Sequence, residues 1–225
     1  MFYPLAIVTP CPSAPPAAAS VARPWTFASD ERLVEELRSG NADAAGAFYD
    51  RHSPSVSRIL IRILGPDTDL ADIHQEVFAE ALQGIASLRE PSAVKGWLRA
   101  IAVNTARTRI TRRTRKWWMW LTDPDDLPER EAPCATDDVL HALDATYRLL
   151  DKLAPDERIA FCLRFIDGMD LTDVAAACSV SLTTIKRRLS RAEETFANLA
   201  KDDPALEEWM KGGSRWGKLK TESKN

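Results

Sequence analysis

Two stretches of the sequence gather positive charge and exclude negative charge. Residues 95–116, KGWLRAIAVNTARTRITRRTRK, carry eight Lys/Arg and no Asp or Glu. Residues 181–191, SLTTIKRRLSR, again hold no acid. The chemistry open to such segments is recognition of a polyanion. An arginine fork bonds two acceptors at once, such as O6 and N7 of guanine, while neighbouring cations fix register on phosphates. The chain as a whole is slightly acidic, with 30 Lys/Arg against 33 Asp/Glu and a net charge of -3 at pH 7. An acidic chain with its cations gathered on two segments is built to meet a polyanion at two places. The plain alternative for each segment is a solvated basic face, although a merely soluble helix usually mixes signs for i,i+4 pairing.

Covalent chemistry finds little support. His52, His74 and His141 are scattered, with no Cys or Asp at nucleophile or metal spacing. Cys11, Cys134, Cys162 and Cys178 form no CxxC pair, so neither a zinc site nor a disulfide framework is expected, and a reducing cytoplasm suits them. No catalytic residue, metal or cofactor is expected, and the chain does not read as an enzyme. No run approaches the roughly 20 apolar residues that span a bilayer, so membrane insertion is not expected. The start, MFYPLAIVTPCP, lacks a basic segment and reads as a tail rather than a signal peptide.

The elements that position the basic segments are helical. With 9 Gly in 225 residues and few alternating β-branched runs, an all-α fold is expected. Residues 1–27 are rich in Pro and Ala and are expected to be a disordered tail. Ser29 caps a first helix containing Leu33, Val34 and Leu37, closed by Gly40. A second stretch covers 42–64, with a break at Ser53-Pro54, where Pro54 suits a first helical position and Ser53 its cap. Gly65-Pro66 ends it. Leu70, Ile73, Val77, Phe78 and Ala81 form one buried face of a third helix over 69–83. A loop over 84–92 precedes the long basic helix, with Ser92 as its cap. Val94, Leu98, Ile101, Ala102 and Thr105 are its packed side, and Arg109, Arg112, Arg113 and Lys116 share another face. A helical bundle thus spans 28–116. The segment 117–138 opens on WWMW and then turns acidic and proline-rich, with seven acids against Arg130. A flexible linker over 117–136 is the expected domain boundary. A smaller helical domain follows over 137–200, with helices near 138–152, 156–166, 172–177 and 182–200, then a basic tail over 201–225.

Residues 171–192, LTDVAAACSVSLTTIKRRLSRA, have the order of a helix-turn-helix. Thr172 is placed to cap the first helix, Val174 and the small Ala175 face inward, and Cys178-Ser179-Val180 makes the turn. Ser181 caps the second helix, which Ile185 and Leu189 bury. Lys186, Arg187, Arg188 and Arg191 are then expected to face outward into a major groove. Trp97 suits either core packing or stacking on unpaired bases. Trp117, Trp118 and Trp120 suit packing against a partner or the domain itself.

The stretch AFYDRHSPSVSRILIRILG…LADIHQEVFAEALQGI…GWLRAIAVNTARTRI resembles region 2 of the extracytoplasmic-function (ECF) group of bacterial RNA polymerase sigma factors, in the sigma-70 superfamily. LLDKLAPDERIAFCLRFIDGMDLTDVAAACSVSLTTIKRRLSRA resembles their region 4. The DxxQEVF and WLxxIAxN elements carry most of the specificity. The resemblance implies two helical domains, a region 2 bundle and a region 4 helix-turn-helix, joined by a linker. It implies that Asp72, Gln75, Glu76, Val77 and Phe78 dock on the clamp helices of the polymerase β′ subunit. Lys95, Trp97, Arg99, Asn104, Arg107, Arg109, Arg112 and Arg113 would form the −10 DNA surface, with Asn104 the best-placed base contact. Ser181, Thr183, Thr184, Lys186, Arg187, Arg188 and Arg191 would form the −35 recognition helix.

Partners implied are core RNA polymerase, through its β′ clamp helices and β flap, promoter DNA, and an anti-sigma protein. The acidic linker would thread near the RNA exit path, its charge mimicking nucleic acid. Ala100, Thr184 and Ser190 depart from common family residues, which bears on the promoter sequence. The expected function is promoter-specific transcription initiation in the cytoplasm, as a sigma factor. The rival is a stand-alone helix-turn-helix regulator, which would leave residues 72–78 without a task.

Overall fold

Helical periodicity in the sequence is realised as eight α-helices among the described residues, with no strand. The computed structural model describes residues 27–65, 69–120, 137–201 and 203, and gives the backbone alone for 114–120 and 137–142. The helices are α1 (Asp30–Arg38), α2 (Ala42–Leu64), α3 (Leu70–Gly84), α4 (Val94–Trp120), α5 (Asp137–Leu150), α6 (Pro155–Phe161), α7 (Leu171–Ala177) and α8 (Leu182–Ala200). The expected N-terminal tail up to residue 26, the linker residues 121–136 and the C-terminal tail from 204 lie outside the described residues, as do the side chains of Lys116 and the WWMW run.

In the first unit, Leu33, Val34, Phe48, Leu60 and Ile63 of α1 and α2 pack against Ile73, Val77 and Phe78 of α3 and Leu98, Ala102 and Val103 of α4. Apolar spacing thus produces a four-helix core in which each helix buries one stripe. Ser29 caps α1 by accepting from the Arg32 amide. In the second unit, Leu149, Leu150, Ile159, Phe161, Val174, Ile185, Leu189 and Phe196 form the core. The α7–α8 turn places Ser179 at φ 54°, and Ser181 caps α8 by accepting from the Thr184 amide.

Local expectations fail at four places. Helix α2 runs through Pro54 without a break. A helix-interior proline costs about 3 kcal/mol, but Phe48, His52, Val56 and Ile59 straddle it and are buried, which holds both halves in line. Asp50, whose carbonyl loses its donor, is exposed to water. Ser92 does not cap α4, because a 3-10 turn over Pro91–Ala93 leads directly into Val94. Thr172 lies inside α7, whose N-cap is Asp170. Finally, α4 continues to Trp120, four residues beyond the expected boundary at 116.

One carboxylate ties three helices of the first unit together. Asp30 of α1 receives Arg51 Nη1 of α2 at 3.1 Å and Lys95 Nζ of α4 at 3.1 Å, with His52 Nε2 3.7 Å away. Burial opposes ionisation of Asp30, but hydrogen bonds from Lys95 and Arg51 and the field of His52 outweigh it and hold the carboxyl below its ordinary value of 3.8. Burial pushes His52 below its ordinary 6.5, against the opposing pull of Asp30.

Both shifts are depressions, so the unfolded chain binds the extra protons and acid destabilises the fold. The His52 contribution is complete above about pH 6.5 and declines as pH falls toward its folded value; that of Asp30 is lost only below the carboxylate range. Thermal melting between pH 7.5 and 5 should therefore show the midpoint falling with acid, and His52→Gln should flatten that fall. An unchanged slope in the variant would remove His52 from the account.

Candidate nucleic-acid and partner interface

The acid-free character of α4 means that counter-charges for its arginines must come from elsewhere in the fold. Lys95 reaches Asp30. Arg109 pairs with Asp69 at the start of α3, and Arg113 lies 4.0 Å from Asp151. Arg107 donates from Nε to Asp156 Oδ1 at 2.8 Å and from Nη1 to Asn104 Oδ1 at 2.5 Å. Asn104 is exposed, as is Arg112. Arg99 is half-buried, and Trp97 is half-buried with its ring against Gly84, where an added Cβ would stand 3.3 Å from Cζ2. Core packing therefore takes much of the Trp97 ring.

On α8, Lys186, Arg187 and Arg191 are exposed, as are Ser181 and Thr183, and Thr184 is half-buried beside the Ser181 cap. Arg188 departs from the outward placement expected of it. It is half-buried, and its Nη2 donates to Asp156 Oδ2 at 2.5 Å. The reason is tertiary: α6 packs on α8 and brings Asp156 of its first turn against Arg188.

Docking of the second unit on the first is centred on the end of α2. The last four carbonyls of a helix have no partner within it. Here Tyr147 Oη of α5 donates to the carbonyls of Ile61 and Arg62, each at 3.2 Å. Arg158 of α6 donates from Nε to Ile63 O at 2.9 Å and from Nη2 to Leu64 O at 3.0 Å, and its Nη1 pairs with Asp151. Gly65 takes φ +78°, and a Cβ there would fall 2.6 Å from the Tyr147 ring, so only glycine satisfies both backbone and contact. Arg62 bonds Asp167 of the second unit. Sequence reasoning missed Tyr147, Asp156, Arg158 and Asp167. Asp156 and Glu157 were visible only as acids in a first helical turn, the usual response to a helix dipole.

Away from this contact, α3 presents Asp72, Gln75 and Glu76 to solvent while Val77 and Phe78 are buried. His74, which sequence reasoning left unassigned, is buried and fixes α3 on α2. Its Nε2 meets Ser53 Oγ at 3.2 Å and its Nδ1 meets Tyr49 Oη at 3.5 Å. Its place on the buried stripe with Leu70, Val77 and Ala81 was the available signal. Beside this face lies a groove of about 260 Å³ lined by Tyr49, Ile61, Leu70, His74 and Gln75. A second, more apolar cleft of about 430 Å³ runs from Leu88, Trp97, Arg99 and Ala100 to Ala176 and Ala177 of α7.

Nucleophilic chemistry has no foothold among the described thiols. Burial pushes Cys162 up to about 12 and Cys178 up to about 11, so both stay protonated at neutral pH. No group of three metal-ligating side chains occurs among the described residues. No described helix is long and apolar enough to cross a membrane.

Comparison with known proteins agrees with this geometry. Residues 48–116 match the family model described as Sigma-70 region 2, and residues 143–196 match the one described as Sigma-70, region 4. Together they cover more than half of the chain. The chain is 27% identical over 179 residues to the ECF RNA polymerase sigma-E factor of Escherichia coli K12, spanning 76% of this chain and 93% of that protein. It is 25% identical over 180 residues to the RNA polymerase sigma-H factor of Pseudomonas aeruginosa, with the same coverage. Among solved structures it is similar in fold to CnrH in complex with the cytosolic domain of CnrY. That match has a TM-score of 0.53 and 24% identity, and covers 77% of this chain and 98% of that one.

The capped end of α2 makes a quantitative demand. Replacing the buried Arg158 by Met leaves two carbonyls and Asp151 without their donor and should lower unfolding free energy by about 3 kcal/mol. Tyr147→Phe, which removes one shared hydroxyl, should cost about 1 kcal/mol. Urea denaturation at pH 7 measures both, and a smaller loss for the arginine than for the tyrosine would contradict the assignment.

Proposed function

The chain belongs to the ECF group of sigma-70 family factors, which bind core RNA polymerase and direct it to promoters, and from that premise we propose how its own residues divide the work. The observation that carries the proposal is that each matched segment, 48–116 and 143–196, contains one of the two acid-free basic runs, 95–116 and 181–191. The residues 28–116 act as the unit that engages polymerase and the −10 element. Residues 137–200 act as the unit that engages the −35 element, and 117–136 connect them.

Asp72, Gln75 and Glu76 form the polar ridge that meets the β′ clamp helices, supported from beneath by Val77, Phe78 and the His74 bonds. Lys95, Arg99, Arg107, Arg109, Arg112 and Arg113 neutralise phosphates along the melted −10 strand, and Asn104 contacts a base edge. Extrusion of bases costs a few kcal/mol in lost stacking, which the cleft beside Leu88, Trp97 and Ala100 and the phosphate contacts offset. Lys186, Arg187, Arg188 and Arg191 lie along the major groove of duplex −35 DNA, with Ser181, Thr183 and Thr184 at the helix start near the backbone. The second unit also meets the β flap. An anti-sigma protein restrains the factor in the cytoplasm, the partner that the family resemblance implies. The chain performs no covalent step, because polymerase supplies the active site.

Reconstitution with core polymerase on a promoter library, followed by run-off transcription, tests this reading against a stand-alone regulator. The factor should give transcripts only with polymerase, whereas operator binding by the isolated chain as a dimer would support the regulator. Alanine at Asp72, Gln75 and Glu76 together should weaken polymerase retention at least about tenfold. Unfolding free energy should stay within about 0.5 kcal/mol of the parent, since these side chains are exposed. Arg191→Ala should cost about 1–3 kcal/mol and relax preference at one −35 position. A uniform loss over all sequences would make Arg191 a phosphate contact instead.

A further inference from the structure

Asp156 stands between the two basic helices. Its Oδ1 holds Arg107 of α4 at 2.8 Å, and its Oδ2 holds Arg188 of α8 at 2.5 Å. A single carboxylate thus engages one arginine from each DNA-reading helix, each oxygen in the role a phosphate oxygen would take. The remaining terminal nitrogen of Arg188, Nη1, is buried without a hydrogen-bond partner among the described residues. Its donor capacity is unused in this arrangement and would be met by a nucleic-acid acceptor. Nearby, Ala176 and Ala177 of the helix-turn-helix stand across the cleft from Leu88, Trp97 and Ala100. That places the −35 unit over the loop proposed to receive −10 bases. The α3 ridge of Asp72, Gln75 and Glu76 stays exposed.

We infer that this chain holds itself closed against DNA, with Asp156 serving as an internal substitute for phosphate, and that polymerase docking on the open α3 face precedes release of both reading helices. The inference rests on the sigma-factor reading and adds an order of events to it. Closure is stabilised by two kinds of contact. Tyr147 and Arg158 cap α2 and set the two units in place, while Asp156 neutralises the cations that would otherwise repel across the gap. The first contact is hydrogen-bonded and buried. The second is half-exposed, screened by salt, and open to displacement by a polyanion or by movement of the second unit.

The test uses the full chain without polymerase and a 30-base-pair duplex with a single-stranded overhang as probe. Asp156→Ala should bind that DNA about tenfold more tightly at 0.1 M salt. The slope of log affinity against log salt should steepen by about 2, as two further phosphates are neutralised. Glu157→Ala, next in sequence and with the same change in net charge, should gain less than about threefold. Equal gains for the two variants would overturn the clasp and leave only a general charge effect.

A second reading keeps the parent protein intact. Backbone amides of α7 and of residues 85–93 should lose hydrogen-exchange protection when core polymerase is added, and unchanged or increased protection in both segments would overturn opening on docking. Run-off transcription separates this inference from the reading beneath it. Transcription by the parent and by Asp156→Ala with no gain in free DNA affinity sinks the clasp alone. Failure of both proteins to support transcription sinks the sigma assignment instead.

Discussion

The end of α2 is the point on which the arrangement of the two units depends. A helix terminus leaves its last carbonyls without internal donors, and burying them without partners is costly. In this chain the carbonyls of Arg62, Ile63 and Leu64, and that of Ile61 beside its bond from the Gly65 amide, are met by Tyr147 and Arg158 of the second unit. The terminus that closes the first bundle is therefore completed by the second. Gly65 makes the approach possible, since its positive φ turns the chain away and its missing side chain admits the Tyr147 ring. The fully buried Arg158 is tolerated because every terminal nitrogen has an acceptor.

Electrostatic logic follows from that placement. α4 has no acid and α8 has none before Glu193, so the cations of both draw carboxylates from other elements. Asp30 serves Lys95, Asp69 serves Arg109, and Asp156 serves both Arg107 and Arg188. Each of these carboxylates lies near the start of a helix, where the helix dipole favours a negative charge. The same positions that stabilise α1, α3 and α6 locally therefore supply counter-ions to neighbouring helices, and Asp156 does so across the interface. Cations held in this way are poised rather than spent, because half-exposed pairs exchange readily for a stronger polyanion.

Accessibility then divides the surface into two classes. The α3 ridge is polar, exposed and anchored rigidly by His74 to Tyr49 and Ser53. The residues proposed to face DNA range from exposed, as with Asn104, Arg112, Arg187 and Arg191, to engaged, as with Arg107 and Arg188. A rigid docking face beside a partly occupied reading face suits a factor that is presented to DNA by a larger partner.

Legibility in the sequence tracks the range of the interaction. The apolar stripes of α3 and α4, the caps at Ser29 and Ser181 and the stop at Gly65 depend on residues a few positions apart, and all appear where expected. Pro54 misled because local rules see its missing amide and not the packing on either side of it. Ser92 and Thr172 misled because several residues near a helix start can cap, and backbone geometry selects among them. The two acid-free runs, the helix-turn-helix order and the DxxQEVF element were enough, without coordinates, to establish an all-helical fold and the family. What only tertiary structure decided is which cations are free. Arg188 looks outward by its spacing from Ile185 and Leu189, yet it is turned to Asp156, 32 residues away. No pattern along the chain encodes that choice, since it is made where α6 packs on α8 and where Tyr147 and Arg158 lock the second unit onto α2.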